Sequence, residues 1–194
     1  MRGTEADWVR QALPTSGSLA GMRRAIRRFD AALLAVLTAG CASSVTRVDG
    51  VFQHRRHGYA IAAPADAWRQ VKVDHATLAF ARGDAESMSL KSRCGRPVAR
   101  AELMARHLLI RLKPRDVIAS RPIQVAGRSG WLQVVDTAAE GRPVRLKTVT
   151  LVVGDCSFDW VLASSGNFES AEAEFDAWWQ SLRLDAADQG EGNA

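Results

Sequence analysis

The sequence predicts an α+β domain in which two helices pack on a mainly antiparallel sheet. Short segments of alternating apolar and polar residues, separated by Gly, Pro and charged turns, recur between residues 59 and 162, as is typical of antiparallel strands. Two longer segments, 98–112 and 167–184, instead repeat apolar residues every three or four positions, as helices do. Hydrophobic residues make up 47% of the 194-residue chain, which is enough to build a sizeable core.

An apolar run before Cys41 predicts export from the cytoplasm. Residues 31–40 carry no charge and follow a cluster of arginines at positions 23–28, which is the charge order of a secretory signal. About ten apolar residues suit a cleaved signal, whereas a membrane-spanning helix needs about 20. We interpret 22–40 as a signal peptide. The leader 1–21 is then a mis-annotated extension, and Met22 is the expected start.

The end of this run, Thr38-Ala39-Gly40-Cys41, resembles the lipobox of bacterial lipoproteins, in which small residues precede an acylated cysteine. The resemblance implies that Cys41 carries lipid. Because Ala42 rather than Asp follows, it also implies sorting to the outer membrane of a Gram-negative bacterium, with the domain facing the periplasm. Three alternatives remain open: an ordinary secretory signal, a buried core helix that happens to end in Cys, and a cytoplasmic extension that leaves the signal as an anchor.

Removal of residues 1–40 changes the charge balance. The whole chain has 26 Lys and Arg against 21 Asp and Glu, a net charge of +5, but the remainder has 20 against 18. Most of the basic excess therefore belongs to the removed segment. We predict no nucleic-acid binding.

Residues 41–56 are predicted to be a lipidated tether, polar at first and basic near its end. Arg55 and Arg56 are expected to contact lipid head groups, each contributing about 1 kcal/mol near an anionic surface. A solvated linker is the alternative. His54 and His57 lie three residues apart, but no nearby Cys, Asp or Glu completes a metal site, so none is predicted.

The predicted domain spans 57–185. Its first half contains several short segments that predict strands. Tyr59 and Ile61 precede Pro64 and predict a short strand, after which a turn places Trp68 against the core. Further extended segments are expected at 70–73 and 77–82. The next strand carries an inward face that consists of Met88, Leu90, Ser92 and Cys94. The helix at 98–112 follows, with a stripe of Ala101, Met104, Ala105, Leu108 and Leu112.

The second half predicts a meander. Pro122 interrupts the segment 117–125 and makes an edge or bulged strand the expectation. Strands at 131–136 and 144–153 follow, and Gly154-Asp155 predicts a two-residue type II′ hairpin. The last strand has an inward face of Cys156, Phe158, Trp160 and Leu162.

Two cysteines therefore point inward on two predicted strands. With Cys41 assigned to lipid, Cys94 and Cys156 form an even pair in an oxidising compartment, where a disulfide persists. The alternative is two buried free thiols.

The final helix, predicted over 167–184, buries a stripe of Phe168, Ala171, Phe175, Trp178 and Leu182. Trp179 cannot point fully in the direction of Trp178, so we predict that it is a partly exposed partner contact. Residues 186–194 are rich in Gly and Asp and predict a flexible tail.

The motif Gly58-Tyr59-Ala60-Ile61, with Pro64 and Trp68 after it, is similar to the opening of PsbP-like domains in uncharacterised lipoproteins of Gram-negative bacteria. The inward cysteine before the first helix and the second one in the late hairpin extend the likeness. The resemblance covers residues 57–185 and implies a non-enzymatic assembly or binding factor. It assigns no functional residue.

No nucleophile elbow, phosphate-binding loop, His-Glu-x-x-His or Cys-x-x-Cys motif occurs in the chain, and no cofactor is expected. We therefore predict a lipid-anchored cell-envelope protein that is not an enzyme. It would act as a binding or assembly module for an unidentified envelope protein. The alternative is a lipid-anchored carrier of a hydrophobic ligand, or a hydrolase, with a site between sheet and helix.

Overall fold

The computed structural model describes residues 45–95, 98–112 and 115–185. The predicted leader, signal peptide, lipidated Cys41 and flexible tail lie outside the described residues. Within the described residues the chain forms two antiparallel sheets and two α-helices. The predicted α+β class with a mainly antiparallel sheet is confirmed. No helix in these residues is long and apolar enough to span a membrane.

The larger sheet has seven strands in the order β4-β5-β6-β10-β9-β8-β7. Its strands are β4 (Arg69–Gln70), β5 (Leu78–Arg82), β6 (Glu86–Arg93), β7 (Arg115–Val125), β8 (Arg128–Ala139), β9 (Arg142–Val153) and β10 (Cys156–Ser164). The two helices, α1 (Ala101–Leu108) and α2 (Phe168–Gln180), follow β6 and β10. The meander from β7 to β10 is the one that the sequence predicts, and Gly154, at φ 57°, opens the two-residue turn between β9 and β10.

The smaller sheet contains part of the predicted tether. Its four strands, in the order β1-β2-β3-β11, are β1 (Thr46–Val48), β2 (Val51–His54), β3 (Tyr59–Ala62) and β11 (Arg183–Leu184). The prediction that the tether extends to residue 56 is therefore wrong. The pattern misled because all three residues of β1 are exposed, whereas in β2 Phe52 and His54 alternate inward with only 3% and 2% of their surfaces exposed. A histidine on that inward face hid the period of two.

Strand β7 lies at the edge of the larger sheet, as Pro122 predicts. A proline has no backbone N–H to donate to a neighbouring strand, so it is tolerated at an edge, where one side of the strand has no neighbour. The register between β7 and β8 also shifts between Val117 and Ala119, a bulge that does not involve Pro122, which pairs with Trp131.

Helix α2 packs an aromatic face against the larger sheet. Phe175 and Trp178 are fully buried, and the Trp178 ring meets Phe80 of β5 edge-on at 5.4 Å. The helix begins at Phe168, where the side chain of Asn167 accepts a hydrogen bond from the backbone N–H of Ser170. It ends at Gln180, earlier than predicted, because residues 183 and 184 pair with β3 as a strand.

Trp179 is 6% exposed, so the prediction of a partly exposed partner contact at this residue is wrong. Helix α2 contacts β3 of the smaller sheet as well as β9 and β10 of the larger one. A helix in the corner between two sheets buries a wider arc than one lying on a single sheet, and Trp179 falls within it. Its indole Nε1 donates to Asp176 Oδ1 at 2.8 Å.

Ionic contacts and hydrogen bonds join α2 to β9 on one side and to β5 and the segment before β4 on the other. Lys147, 5% exposed on β9, donates to the carboxylates of Glu172 and Asp176 at 2.7 and 2.8 Å. Glu174 accepts from Trp68 Nε1 at 2.6 Å and from Arg82 at 2.5 Å. A buried cation without its carboxylates would be strongly destabilising, so these contacts fix where the helix lies.

Helix α1 covers the opposite face of the larger sheet and is shorter than the predicted 98–112. Ala105 and Leu109, at or just after its C-terminal turn, are buried, and a second core cluster joins Leu109 to Val135 and Leu146 of the sheet. Both faces of the sheet are therefore covered, which explains why most residues of the central strands β9 and β10 are buried, including the polar Thr148, Thr150 and Asp159.

Cys94 and Cys156 are joined by a disulfide, with Cα atoms 4.0 Å apart and a sequence separation of 62 positions. The bridge ties the end of β6 to the start of β10, beside the cross-strand pair of Ser92 and Phe158.

We expect the double variant Cys94→Ser/Cys156→Ser to lower the free energy of unfolding by about 4 kcal/mol, because the bridge closes a long loop in the unfolded chain. Urea unfolding measures the change. Reductant should lower the stability of the parent protein to the same level and leave the variant unaffected. Free thiols at both positions in peptide mapping without reductant would contradict the bridge.

Candidate functional site

A cavity of about 540 Å³ lies between the smaller sheet and the edge of the larger sheet formed by β4, β5 and β6. It is within the size range of small-molecule sites in proteins. Its lining combines polar, basic and apolar side chains: Val45, Arg47, Phe52, His54, His57, Gln70, Ala76, Thr77, Leu78 and Ser92. Since Arg47 and Gln70 are exposed, the cavity opens to solvent.

Two stacked histidines form one wall of the cavity. The rings of His54 and His57 lie nearly parallel, with centroids 3.8 Å apart. A 3-10 turn over Arg55–His57, ended by Gly58 in the left-handed region at φ 60°, brings the two rings together. The backbone N–H of His57 donates to His54 Nδ1 at 3.1 Å. Because Nδ1 is an acceptor, a neutral His54 carries its proton on Nε2.

The hydroxyl of Ser92 connects this wall to the larger sheet. Its Oγ lies 2.8 Å from His57 Nδ1, 3.2 Å from Thr77 Oγ1 and 3.4 Å from the Tyr59 hydroxyl. The backbone N–H of Ser92 also donates to Thr77 Oγ1, at 2.9 Å. Four side chains from separate parts of the chain therefore share one buried hydrogen-bond network.

Burial controls the protonation of this network. Desolvation lowers the pKa of His54 below its ordinary value of 6.5. Repulsion between its charged form and a charged His57, and then Arg56, lowers the pKa further. Desolvation and the nearby Arg56 charge likewise lower the pKa of His57. Burial raises the pKa of Tyr59 to about 12. The site thus holds two neutral imidazoles and a protonated phenol at neutral pH.

We expect the protein to lose stability as the pH falls below 6.5, the ordinary histidine pKa. The folded-state pKa values of His54 and His57 are lowered, so the unfolded chain binds more protons in the window between the unfolded and folded values. Thermal unfolding across this range measures the loss. His54→Gln should reduce the pH dependence.

The matched control is His107→Gln, because His107 is exposed on α1. If this variant reduces the pH dependence as much as His54→Gln does, the effect does not come from the stacked pair.

The charge around the cavity is positive. Arg47 lies over the Phe52 ring, 5.4 Å from its centroid, and none of the described carboxylates forms a salt bridge with it. Arg55 and Arg56 are exposed on the turn beside the cavity. No Asp or Glu is among the lining residues. The contact of Arg55 and Arg56 with lipid head groups stays a prediction.

The pairing of Ser92 with His57 matches the nucleophile and base of a hydrolase in distance alone. Thr77 and Tyr59 compete for the same hydroxyl, and among the described residues no carboxylate hydrogen-bonds to His57 to orient it. We therefore interpret Ser92 as the centre of a polar network that shapes the cavity.

The space between sheet and helix, where the alternative hypothesis placed a site, is small. Leu108 of α1 and Val161 of β10 border a mostly apolar cavity of only about 30 Å³. This volume suits a water molecule and is far below that of a fatty acyl chain. This cavity beside α1 therefore offers no preformed space for an acyl chain.

Sequence reasoning paired His54 with His57 but missed Arg47, Gln70, Thr77 and Ser92. One signal was available, since Ser92 is a polar residue on the otherwise apolar inward face of its strand. No group of three or more potential metal ligands occurs within the described ranges.

Large apolar side chains are also exposed outside the lining of the cavity. Leu103 and Ile110, in and just after α1, and Val117 and Ile118, on the edge strand β7, expose 48–58% of their surfaces.

Comparisons with known proteins relate the chain to others by fold. No protein-family model matches the chain, and no curated protein matches its sequence. Among solved structures, a protein from Bacteroides thetaiotaomicron superposes with a TM-score of 0.49 at 12% identity over 70% of this chain, which spans about half (47%) of that protein.

Two further structures are similar at comparable levels. PsbP from the cyanobacterium Synechocystis superposes with a TM-score of 0.46 at 12% identity, covering 66% of this chain and 88% of PsbP. LpqN, described as involved in cell envelope biogenesis of Mycobacterium tuberculosis, has a TM-score of 0.43 at 16% identity, covering 66% of this chain and 83% of LpqN. At these TM-scores and identities the likeness assigns no activity to this chain.

Proposed function

We propose that the protein is a lipid-anchored, non-catalytic binding module of the cell envelope that holds a small polar ligand in the cavity of about 540 Å³. The observation that carries the proposal is the lining itself. Polar groups from both sheets converge on one open space, which is the usual arrangement of a ligand site. The envelope protein partner predicted from the sequence stays a prediction.

The character of the lining supports a polar ligand. His54 lines the cavity, and its Nδ1 already accepts from the backbone N–H of His57, so the Nε2–H of the neutral ring is the group that it can offer to a ligand. The apolar walls at Phe52 and Leu78 would contact the less polar part of such a ligand.

Two features support the location in the envelope. The lipobox-like sequence ending at Cys41 provides an anchor, and the Cys94–Cys156 disulfide suits an oxidising compartment. The first described residue, Val45, lines the cavity only four residues after Cys41. The anchor and the proposed ligand site would therefore lie on the same side of the domain.

We expect Cys41→Ala to abolish incorporation of labelled palmitate and to release the protein from the membrane fraction, because the thiol is the acylation site. Cys94→Ser, analysed in parallel, should remain labelled, since its sulfur belongs to the disulfide. Unchanged labelling and membrane retention in Cys41→Ala would show that the lipoprotein interpretation is wrong.

We expect Gln70→Trp to remove ligand binding, because it places a large ring in the mouth of the cavity from an exposed position on β4. Thermal shifts of the full-length protein with a panel of amino acids, sugars, organic acids and phosphate esters measure binding. Gln124→Trp makes the same exchange at an exposed position on the distant edge strand β7 and should bind normally.

Two results would contradict the proposal. The first is that no compound of the panel gives the parent protein a thermal shift that is lost in Gln70→Trp, which would remove the evidence for a ligand site. Labelling of Ser92 by a fluorophosphonate would show a reactive serine and contradict the non-catalytic part.

A further inference from the structure

The groups that line the cavity are matched to an anion. Hydrogen-bond donors come from three different strands: Arg47 on β1, His54 on β2 and Gln70 on β4. Arg47 is a permanent cation, and a neutral His54 presents its Nε2–H. No carboxylate lines the cavity to repel a negative ligand or to neutralise Arg47.

We propose that the cavity binds a phosphate group, held between the Arg47 guanidinium and His54 Nε2–H. The inference rests on the proposed function, since it assumes that the cavity is the ligand site, and it names the chemical class of the ligand. Guanidinium groups suit phosphate because their planar fork can donate two hydrogen bonds to adjacent oxygens.

The placement of the donors favours phosphate over carboxylate. A carboxylate presents two oxygens in one plane, whereas the oxygens of a phosphate point in tetrahedral directions and can meet donors from several sides. In this cavity the donors come from both sheets, with Arg47 and His54 on the smaller sheet and Gln70 on the larger one. A volume of about 540 Å³ also leaves room for the group that carries the phosphate.

Such a phosphate could come from a lipid head group or from a soluble ester. The position of Val45 supports the first source. A chain of four residues spans at most about 14 Å, so the cavity would lie within that reach of a lipidated Cys41. Lipid head groups would then be close to the cavity, and Arg55 and Arg56, exposed on the adjoining turn, would face the same surface. Soluble phosphate esters could reach the same opening. Both sources share the phosphate chemistry.

The experiment compares two arginine variants of the full chain carrying Cys41→Ala, so that membrane association does not arise from the anchor. Arg47→Gln removes the cation that lines the cavity. Arg69→Gln removes an equal charge from an exposed position on β4 that does not line it. Calorimetry with inorganic phosphate and glycerol 3-phosphate tests the soluble source. Sedimentation with phosphatidylcholine vesicles, with and without phosphatidic acid, tests the membrane source.

We expect Arg47→Gln to weaken binding about tenfold or more, as the loss of a charge-assisted hydrogen bond does, while Arg69→Gln leaves it unchanged. If Arg47→Gln binds the soluble probes more weakly than Arg69→Gln does, the ligand is a soluble phosphate ester. If the two variants differ only with vesicles that contain phosphatidic acid, the ligand is a lipid head group. His54→Leu, which removes the second donor, should weaken the same binding. Its thermal unfolding shows whether the variant is folded.

The opposite results overturn the inference. Equal losses in the two arginine variants would show attraction to surface charge alone, and no binding of any phosphate probe would exclude the ligand class. The proposed function would survive that second result if a ligand without phosphate gave a thermal shift that Gln70→Trp removes. It would fail if no such ligand were found.

Discussion

The packing of α2 in the corner between the two sheets is the constraint on which the rest of the structure depends. Phe175 and Trp178 meet the larger sheet, while Trp179 and Leu182 complete the same core cluster at the C-terminal end. Burial of each large side chain contributes about 1.5–3 kcal/mol, so this face supplies a large share of the stability of a domain of this size. The contacts of Lys147 with Glu172 and Asp176 then select one position of the helix, because their loss would leave a buried cation.

The cavity follows from this arrangement. The smaller sheet joins the common core through Phe52, Tyr59 and Ile61, which lie in the same cluster as the helix. Strand pairing then places His54 and the adjoining turn beside Leu78 of β5 and Ser92 of β6. The open space between the two sheets is lined by whatever side chains the strands present there. Its polar lining is stable because Ser92, Thr77 and Tyr59 satisfy one another and His57.

Several elements were predictable because their signals are local. The edge character of β7 follows from Pro122, and the turn between β9 and β10 follows from Gly154. The buried stripe of α2 follows from its spacing. The boundary of the domain was not predictable, because the exposed strand β1 carries no pattern and is held only by pairing with β2. The length of α2 was also misjudged, since the chain leaves the helix to pair with β3. Pairing with another strand, which an exposed or very short segment does not reveal in its own sequence period, decided both outcomes.

The sequence by itself determined the α+β class, the inward faces of the central strands and the pairing candidates Cys94 and Cys156, because periodicity and cysteine number are properties of the chain alone. Only the tertiary structure decided that Trp179 is buried and that Arg47, His54, Thr77 and Ser92 surround one cavity. These residues come from segments up to 45 positions apart, namely 47 and 92. Their convergence depends on how two sheets pack on one helix, and no spacing within a single segment encodes it.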